Sequence, residues 1–423
     1  MQKHFTLYIL AAMAIGVLVG WLINTQVSDA ETIKEISGYF TLVTDIFLRL
    51  IKMIIAPLVF ATLVVGIAHL GDAGALGRIG AKTMGWFIAA SVVSLSLGVL
   101  MVTILQPGVG LDLPLPDVGA DSGVKTGALT LKDFITHLVP KSIAEAMANN
   151  EILQIVVFSV FVGVAAISLG ERARLVVDLA EQVSQVMLKI TGYVMLVAPA
   201  AVFAAIAATV ASKGVSILIS YGAFIVGFYA SLGLLWVVLI LAGLLVLGPS
   251  MLRLVGFIRE PMLLAFSTAS SEAAYPKTLD RLESFGVSRR ISSFVLPLGY
   301  SFNLDGSMMY CTFATLFIAQ AYGITLTPGQ ILSMLLLLMV TSKGMAGVPR
   351  ASLVVIAATL SFFNIPEAGL LLILAVDHFL DMGRSATNVV GNSVATAVVA
   401  KWENELDRSA SASPRPAGGE PAD

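Results

Sequence analysis

Six apolar segments follow one another from the N-terminus, separated by short polar stretches. Each is near or above the roughly 20 residues that a helix needs to cross the hydrocarbon core of a bilayer. The first follows directly on Met1-Gln-Lys-His and is interpreted as a transmembrane helix, since no small-residue cleavage site of a signal peptide stands out. The pattern predicts six membrane-spanning helices, at 5–24, 39–70, 83–106, 150–168, 188–211 and 215–248.

The pattern changes after Gly248, where apolar segments are interrupted by small polar residues. The segments 266–276 and 341–352 both begin like spans and then break, and between them a long apolar helix is broken at 303–307. Irregular backbone at membrane depth is tolerated only where protein or a cavity satisfies its N–H and C=O groups. Two such interrupted segments in corresponding positions predict the binding site of a transporter.

A polar stripe lies near the C-terminus. Asp377, Asp381, Arg384, Asn388 and Asn392 follow one another at spacings of three or four, so they share one face of a helix. Ionised side chains in hydrocarbon are costly, and such a cluster therefore indicates a functional site. The alternative is an internal Asp–Arg ion pair that only holds helices together.

Composition agrees with the membrane class. The chain is 57% hydrophobic and 12% charged, with a mean hydropathy of +0.91, whereas a soluble chain is about 25% charged. The net charge of -2 argues against nucleic acid, and one cysteine excludes an intramolecular disulfide. Lys and Arg concentrate after the second, fourth and sixth spans, which predicts that both termini are cytoplasmic.

Four motifs, in order over about 250–405, resemble the dicarboxylate/amino acid:cation symporter family, the glutamate transporters. The first six spans agree with that family in number and layout. The closest resemblance in motif is to its bacterial proton-coupled glutamate/aspartate symporters. The motifs are Ser-Ser-Glu at 270–272, Asn-Leu-Asp-Gly-Ser at 303–307, Ala-Gly-Val-Pro at 346–349 and Asp-Met-Gly-Arg-Ser at 381–385.

The resemblance implies an all-α integral membrane protein of the bacterial inner membrane, with eight transmembrane helices, two re-entrant helical hairpins and a homotrimeric assembly. It also implies an elevator mechanism, in which a transport domain moves against a fixed scaffold and the outer hairpin gates the site. The expected divisions are six transmembrane helices in 1–248, a transport core in 249–405 and a disordered cytoplasmic tail in 406–423. Within the core we expect hairpin 1 at 258–284, a broken helix at 290–322, hairpin 2 at 327–363 and a last helix at 367–402.

Arg384 and Asp381 carry the expectation about substrate. A guanidinium is a planar, permanent donor suited to bidentate capture of a carboxylate, and arginine at the matching family position binds the side-chain carboxylate. At the position of Asp381, amino acid carriers hold the α-amino group, whereas the C4-dicarboxylate branch typically lacks an aspartate. The resemblance therefore favours glutamate or aspartate over succinate, fumarate or malate.

Further positions match polar contacts or hairpin tips of the family. For an isolated serine or small residue, packing or bonding to its own helix is the alternative. Arg350 and Ser352 are candidates for a second substrate contact or for gating, and Arg350 could equally point into water. The remaining candidate substrate contacts are Asn388, Ser385, Ser271, Ser270, Val348, Gly347 and Ser307.

The coupling ion follows from departures from the sodium-driven members. Where those members have a carboxylate this chain has Asn392, and two positions that bear hydroxyls there are Phe87 and Ala90 here, with Ser91 kept. Sodium needs several oxygen ligands, so we expect proton symport without any cofactor, with sodium as the alternative. The residues that remain for a cation are Asp305, Asn303 and the Gly299 carbonyl, of which Asn303 and Asp305 form the candidate residual sodium site.

A proton carrier must be a titratable group in the buried site. The candidates are Glu272 at the hairpin tip and His378 near Asp381, with Asp305 behind them. Glu272 could instead cap its helix, and His378 could face lipid headgroups or a neighbouring helix. Cys311 stands where some eukaryotic relatives of the family have a proton-carrying glutamate, which closes that route.

A membrane hydrolase and an anion channel are the alternative classes. A membrane hydrolase could use Asp381 with Asp377, or Ser270 or Ser271 beside Glu272, but no histidine lies at a spacing that would activate a serine. An anion channel would also use Arg384, yet it needs neither Asp381 nor two re-entrant hairpins. The sequence therefore favours a carrier that binds a small acidic amino acid, with the lipid bilayer and copies of itself as its partners.

Overall fold

The chain is helical throughout the described residues, which confirms the predicted all-α class. Outside the helices the described part contains one isolated antiparallel bridge, between Val287 and Leu406. The computed structural model describes residues 5–68, 73–109, 139–214, 221–342, 351–374 and 376–407.

The first half of the chain forms long apolar helices. By length and composition, five stretches of the described residues suffice to cross a membrane: Leu7–Gln26, Ala30–Ala68, Gly74–Leu105, Ile152–Met195 and Gly222–Leu247. This agrees with an integral membrane protein, while the eight crossings stay a prediction. The helices are α1 (Phe5–Gln26), α2 (Ala30–Ala68), α3 (Ala73–Leu105), α4 (Ile143–Ala148), α5 (Ile152–Leu169), α6 (Arg174–Met195), α7 (Ala198–Lys213) and α8 (Gly222–Leu247).

The predicted single span at 188–211 is wrong. Helix α6 ends at Met195 and α7 begins at Ala198, so the span is divided between two helices. The backbone N–H groups of Leu196 and Val197 bond to carbonyls three residues earlier, which tightens the chain into a turn. Pro199, at the second position of α7, has no N–H to continue the preceding helix.

The second half contains shorter helices with two breaks where the sequence predicted irregular backbone. Ala269 adopts a left-handed conformation with φ 49° and ends the first of these helices. Asn303 and Leu304 leave helical geometry and interrupt the apolar helix. The helices are α9 (Ser250–Thr268), α10 (Tyr275–Phe285), α11 (Arg289–Phe302), α12 (Asp305–Ala321), α13 (Pro328–Thr341), α14 (Ala351–Phe362), α15 (Leu370–Leu374) and α16 (Asp377–Trp402).

Helices α9 and α10 pack together as a hairpin, which begins earlier than the predicted residue 258. Buried Glu260 on α9 pairs with Arg281 and with Lys277 on α10. Glu260 and Arg281 are 21 residues apart and lie at similar distances from the Ala269 turn, as an antiparallel pair of helices requires. A buried carboxylate needs such partners, because leaving it unpaired would cost several kcal/mol.

Helix α16 is the central element of the second half. Every residue from Met382 to Ala400 is buried, and a helix buried on all sides belongs to a core rather than a surface. Its neighbours are α3, α8, α9, α10, α11 and α12. The polar stripe predicted from the sequence therefore lies inside protein and not against lipid.

The end of α16 is held by ionic contacts. Glu403 accepts hydrogen bonds from Arg78 Nη2 at 3.0 Å and from Lys82 Nζ at 2.6 Å, both on α3. Burial alone raises the pKa of Glu403, but the hydrogen bonds from these two cations outweigh it and hold the pKa below its ordinary value of 4.5. The contacts tie α3 to the end of α16, and Arg290 adds an ion pair to Glu405.

The predicted disordered tail begins too early. Leu406 forms the bridge with Val287, and Asp407 N donates to Gly286 O at 2.8 Å. Backbone hydrogen bonds to the loop between α10 and α11 order these two residues in a way that their composition does not reveal. The remainder of the predicted tail lies outside the described residues.

We expect Glu403→Gln to lower the melting temperature of the purified protein at pH 7, because a nearly buried carboxylate with two cationic donors stabilises by about 1–2 kcal/mol. Its pKa is lowered by folding, so this stability is present above pH 4.5 and is lost as pH falls through the folded-state pKa. The difference from wild type should therefore vanish in acid. Asp178→Asn, in the exposed Arg174–Asp178 pair, is the control, and an equal effect of both substitutions at pH 7 would contradict the assignment.

Candidate functional site

The break at Asn303 and Leu304 directs the N-terminus of α12 against the middle of α16. A Cβ at Gly306 would collide with the backbone of Arg384, so the two helices approach as closely as glycine allows. Asn388 Oδ1 accepts from Gly306 N at 2.9 Å and from Ser307 N at 3.3 Å. The Asn388 amide also donates to Ser307 Oγ at 3.1 Å. Asn388 thus caps α12 from another helix and satisfies N–H groups that the break exposes.

Arg384 lies at the centre of a buried charged group. Its Nε donates to Asp381 Oδ1 at 2.6 Å, and its Nη1 lies 3.3 Å from Asp377 Oδ1. The guanidinium carbon stands 4.5 Å from the centre of the Tyr310 ring, a cation–π contact. The Tyr310 hydroxyl donates to Asp377 Oδ1 at 3.0 Å, and Ser385 Oγ donates to Asp381 Oδ1 at 3.3 Å.

The two carboxylates differ in exposure. The side chain of Asp381 is 28% exposed, whereas those of Arg384 and Asp377 are 3% and 6% exposed. Asp381 is therefore the member of the group that a molecule from outside can reach first. The internal Asp–Arg pairing foreseen as the alternative is present, and a bound charge of either sign would have to replace it.

A second polar group surrounds Asp305, which is fully buried. Ser94 Oγ donates to Asp305 Oδ1 at 3.0 Å, and Asn303 Nδ2 donates to Asp305 Oδ2 at 3.0 Å and to Asn392 Oδ1 at 3.2 Å. Within the described residues, Asn303 Oδ1 and Asn392 Nδ2 are buried without a hydrogen-bond partner. The group joins α3, the helix break and α16.

The polar group around Asp305 is closely packed. A Cβ at Gly391 would occupy the position of the Asp305 carboxylate, and a Cβ at Gly299 would meet the Asn392 amide. Two predicted residues, Gly299 and Asn392, are thus neighbours of the predicted Asn303 and Asp305. Residues later in α12 contact residues earlier in α16, so the two helices run antiparallel. We call their line of contact the seam.

The hairpin-tip residues form a local turn between α9 and α10. Ser270 Oγ accepts from Ala273 N at 3.2 Å, Ser271 is buried, and Glu272 opens a short 3₁₀ turn. Ser270 caps this turn, a role foreseen for Glu272.

The other candidates lie around the two groups. His378 is half-buried beside Asp377, and Ser91 is buried one helical turn before Ser94. Ser352 is buried, and its carbonyl lies 4.0 Å from the sulfur of Cys311. Gly347, Val348 and Arg350 lie outside the described residues.

The sequence assigned three residues of the two groups no role in a carrier. Asp377 was placed on the stripe and in the alternative hydrolase only, although its spacing of seven from Arg384 puts both on one face. Ser94 follows the candidate Ser91 by one helical turn, and this spacing indicates that the two serines share a face of α3. Tyr310 had no such signal, because only the packing of α12 against α16 brings its ring to Arg384.

A cavity of about 340 Å³ lies on a different face of α16. Met13, Trp236 and Phe266 line it together with Gly383 and Thr387. Trp236 Nε1 donates to Thr387 Oγ1 at 2.8 Å, which satisfies the one polar group that each side chain presents there. Its apolar lining offers no partner for a carboxylate, so the ionic chemistry belongs to the seam between α12 and α16.

Comparison with known proteins gives consistent similarities over nearly the whole chain. The family described as "Sodium:dicarboxylate symporter family" matches residues 5–402. The "Proton/glutamate-aspartate symporter" of Escherichia coli (strain K12) is 41% identical over 410 residues, 95% of this chain and 93% of the relative. The "C4-dicarboxylate transport protein" of Laribacter hongkongensis (strain HLHK9) is 40% identical over 413 residues, 96% of this chain and 91% of the relative. The "Proton/sodium-glutamate symport protein" of Bacillus caldotenax is 38% identical over 405 residues, 94% of each.

We expect Gly391→Ala to destabilise the protein, because the added Cβ would displace the Asp305 carboxylate. Overpacking of a closely packed core costs about 1–3 kcal/mol, so the melting temperature of the purified protein should fall. Gly85→Ala on α3 is the matched control, since a Cβ there meets nothing within 4 Å. If both variants melt with the wild type, the described seam between Asp305 and Gly391 is incorrect.

Proposed function

The chain belongs to the sodium:dicarboxylate symporter family, and on that premise we propose that it carries glutamate or aspartate across a membrane together with a proton. Members of this family are transporters and not enzymes, and the apolar helices agree with an integral membrane protein. The observation that carries the proposal is the pairing of buried Arg384 with the partly exposed Asp381.

The substrate follows from an exchange of ionic partners. A side-chain carboxylate takes the guanidinium of Arg384 in bidentate form, while the substrate ammonium takes the Asp381 carboxylate that the guanidinium releases. One internal ion pair is replaced by two pairs with the substrate. A molecule with a carboxylate alone would take Arg384 from Asp381 and leave the partly exposed Asp381 carboxylate without an ionic partner.

The names of the relatives include both substrate classes, acidic amino acids and C4-dicarboxylates. The Escherichia coli and Bacillus caldotenax relatives are named for glutamate, whereas the Laribacter hongkongensis relative is named for C4-dicarboxylates at nearly the same identity. A C4-dicarboxylate such as succinate, fumarate or malate would also suit Arg384. Asp381 is the residue that favours the amino acid, because a dicarboxylate has no ammonium to pair with it.

Proton coupling is supported by three positions that supply neither a carboxylate nor a hydroxyl oxygen to a sodium ion. Asn392 presents an amide in the buried seam, and Phe87 and Ala90 are buried on α3 without oxygen ligands. Sodium coupling is the alternative, and one observation favours it: Asn303 Oδ1 is a buried acceptor without a hydrogen-bond partner in the described part of the chain, beside Asp305. Under proton coupling, Glu272, His378 and Asp305 remain candidate carriers.

The proposal extends to assembly and mechanism. We infer a homotrimer in a bacterial inner membrane, with eight transmembrane helices, two re-entrant hairpins, cytoplasmic termini and elevator-type alternating access. The contacts of Glu403 with α3, and of Leu406 with the loop before α11, support a core that moves as one body. Exposed apolar side chains on α6, such as Leu175 and Leu179, suit lipid or a second copy of the chain.

In liposomes containing the purified protein, we expect labelled L-aspartate to accumulate when the outside is more acidic than the inside and sodium is absent. Arg384→Ala should reduce uptake by about 30-fold or more, since truncating a buried charge partner costs 2 kcal/mol or more. Arg174→Ala, at an exposed site, should leave uptake unchanged. Accumulation that requires sodium and ignores the proton gradient would contradict the coupling ion, and unchanged uptake by Arg384→Ala would contradict the site.

Asp381→Asn tests the substrate class. The substitution should weaken binding of L-aspartate by about tenfold or more, because a charge-assisted hydrogen bond to the ammonium contributes about 1.5–3 kcal/mol. Succinate has no ammonium, so its competition against labelled substrate should not weaken. Asp178→Asn, an exposed aspartate, controls for nonspecific charge effects. Equal losses for aspartate and succinate would show that Asp381 does not read the ammonium.

A further inference from the structure

Asp377 is a buried acid that the proposed function has not used. It is the first residue of α16 and is 5% exposed. Its Oδ1 accepts from the Tyr310 hydroxyl at 3.0 Å and lies 3.3 Å from Arg384 Nη1. The carboxylate thus occupies one side of the guanidinium that we assign to the substrate, and any change in the Arg384 partner affects it directly.

The charged and titratable groups around Asp377 come from few elements. On its own helix they are His378, Asp381 and Arg384, and on α12 they are Tyr310 and Cys311. The hydroxyl of Tyr229 on α8 reaches the Phe379 carbonyl at 2.6 Å. Lys343 and Arg350 lie outside the described residues. In the described part of the chain, the ion pairs of Asp377 and of Asp381 are both with Arg384.

Substrate binding changes the charges around Asp377. The ammonium of an acidic amino acid neutralises Asp381, and its side-chain carboxylate turns to Arg384. The guanidinium, which faces Asp377 and Asp381 in the empty site, then faces Asp377 and the substrate carboxylate. The substrate as a whole has added one net negative charge in a place where water does not screen it. Neighbouring carboxylates repel each other strongly in a medium of low dielectric constant, and one of them takes up a proton. The substrate carboxylate binds Arg384 and weakens the ion pair between Asp377 and Arg384, so the proton binds to Asp377.

Resting on the proposed function, we propose that Asp377 takes up the transported proton: it is ionised against Arg384 in the empty site and protonated when the substrate carboxylate binds Arg384. Tyr310 suits both states, because its hydroxyl donates to a carboxylate and accepts from a carboxylic acid. One proton enters with one substrate anion and leaves with it. One proton thus offsets the net charge of minus one that the amino acid brings, and the Asp377–Arg384 pair forms again after release.

The other candidate acids are less directly linked to Arg384. Asp305 receives hydrogen bonds from Ser94 and Asn303, on the side of the seam nearer Asn392. Glu272 lies in the turn of the α9–α10 hairpin. Asp377 contacts the guanidinium itself, so its ionised carboxylate competes with the substrate carboxylate for Arg384, and its protonation favours substrate binding.

The test is the pH dependence of equilibrium binding. Labelled L-aspartate is bound to the purified full-length protein in sodium-free buffer between pH 5.5 and 8.5. If one proton is taken up with each substrate, the wild-type Kd rises about tenfold per pH unit over the pH range in which the empty site does not hold that proton. In Asp377→Asn, which mimics the protonated acid, the Kd should become independent of pH. In liposomes this variant should still exchange labelled for unlabelled aspartate but should not accumulate it under a proton gradient.

Tyr310→Phe supplies a second measurement that does not depend on the first variant folding. It keeps the ring against Arg384 and removes the hydroxyl that stabilises the ionised Asp377, because a hydrogen bond to a charged acceptor is stronger than one to a neutral acid. The pH at which binding weakens should rise by about half a unit or more. His378→Gln tests the neighbouring candidate carrier and should keep the wild-type slope and midpoint. Tyr193→Phe, at an exposed tyrosine of α6, is the matched control.

The outcomes separate this inference from the function on which it rests. A wild-type slope retained in Asp377→Asn, or an unmoved midpoint in Tyr310→Phe, overturns the role of Asp377 and leaves proton symport intact. A loss of slope in His378→Gln with the slope kept in Asp377→Asn would assign the proton to His378 instead. If wild-type binding does not depend on pH in sodium-free buffer, the proposed proton coupling itself is wrong.

Discussion

The structure depends on keeping the buried guanidinium of Arg384 paired. A permanent charge that is 3% exposed among apolar helices would be prohibitive without partners. Asp377, Asp381 and the face of Tyr310 supply them, and they come from two helices. The need to hold α12 against α16 at this point explains why Gly306 has no side chain there. Such a group is stable when empty, and under the proposed function it exchanges its internal partners for those of a substrate.

The second constraint is the interrupted backbone of the apolar helix 289–321. A break at Asn303 and Leu304 frees N–H groups that hydrocarbon cannot satisfy. Asn388, on α16, accepts two of them at Gly306 and Ser307. The break is therefore stable only when the two helices are docked, which makes local irregularity and long-range packing depend on each other.

Both polar groups lie along one seam. Asp305 meets Gly391, Ser307 meets Asn388 and Tyr310 meets Asp377 as the antiparallel helices pass each other. A group that recognises charge and a group of buried amides with a carboxylate thus share the same two helices. Movement of either helix would alter both groups together, which is a physical basis for coupling an organic substrate to an ion.

The sequence alone determined the membrane class, the breaks near 269 and 303 and the stripe from Asp377 to Asn392, because hydropathy and helical spacing are local properties. It placed one span across 188–211, where Ala198 begins a separate helix, and it extended the disordered tail over Leu406 and Asp407. It gave no role to Tyr310 or Ser94. Tyr310 bonds to Asp377 across 67 residues and Ser94 to Asp305 across 211, and no local pattern carries such pairings. The tertiary structure decided them, because a buried charge or a broken helix takes its partners from whichever elements pack against it.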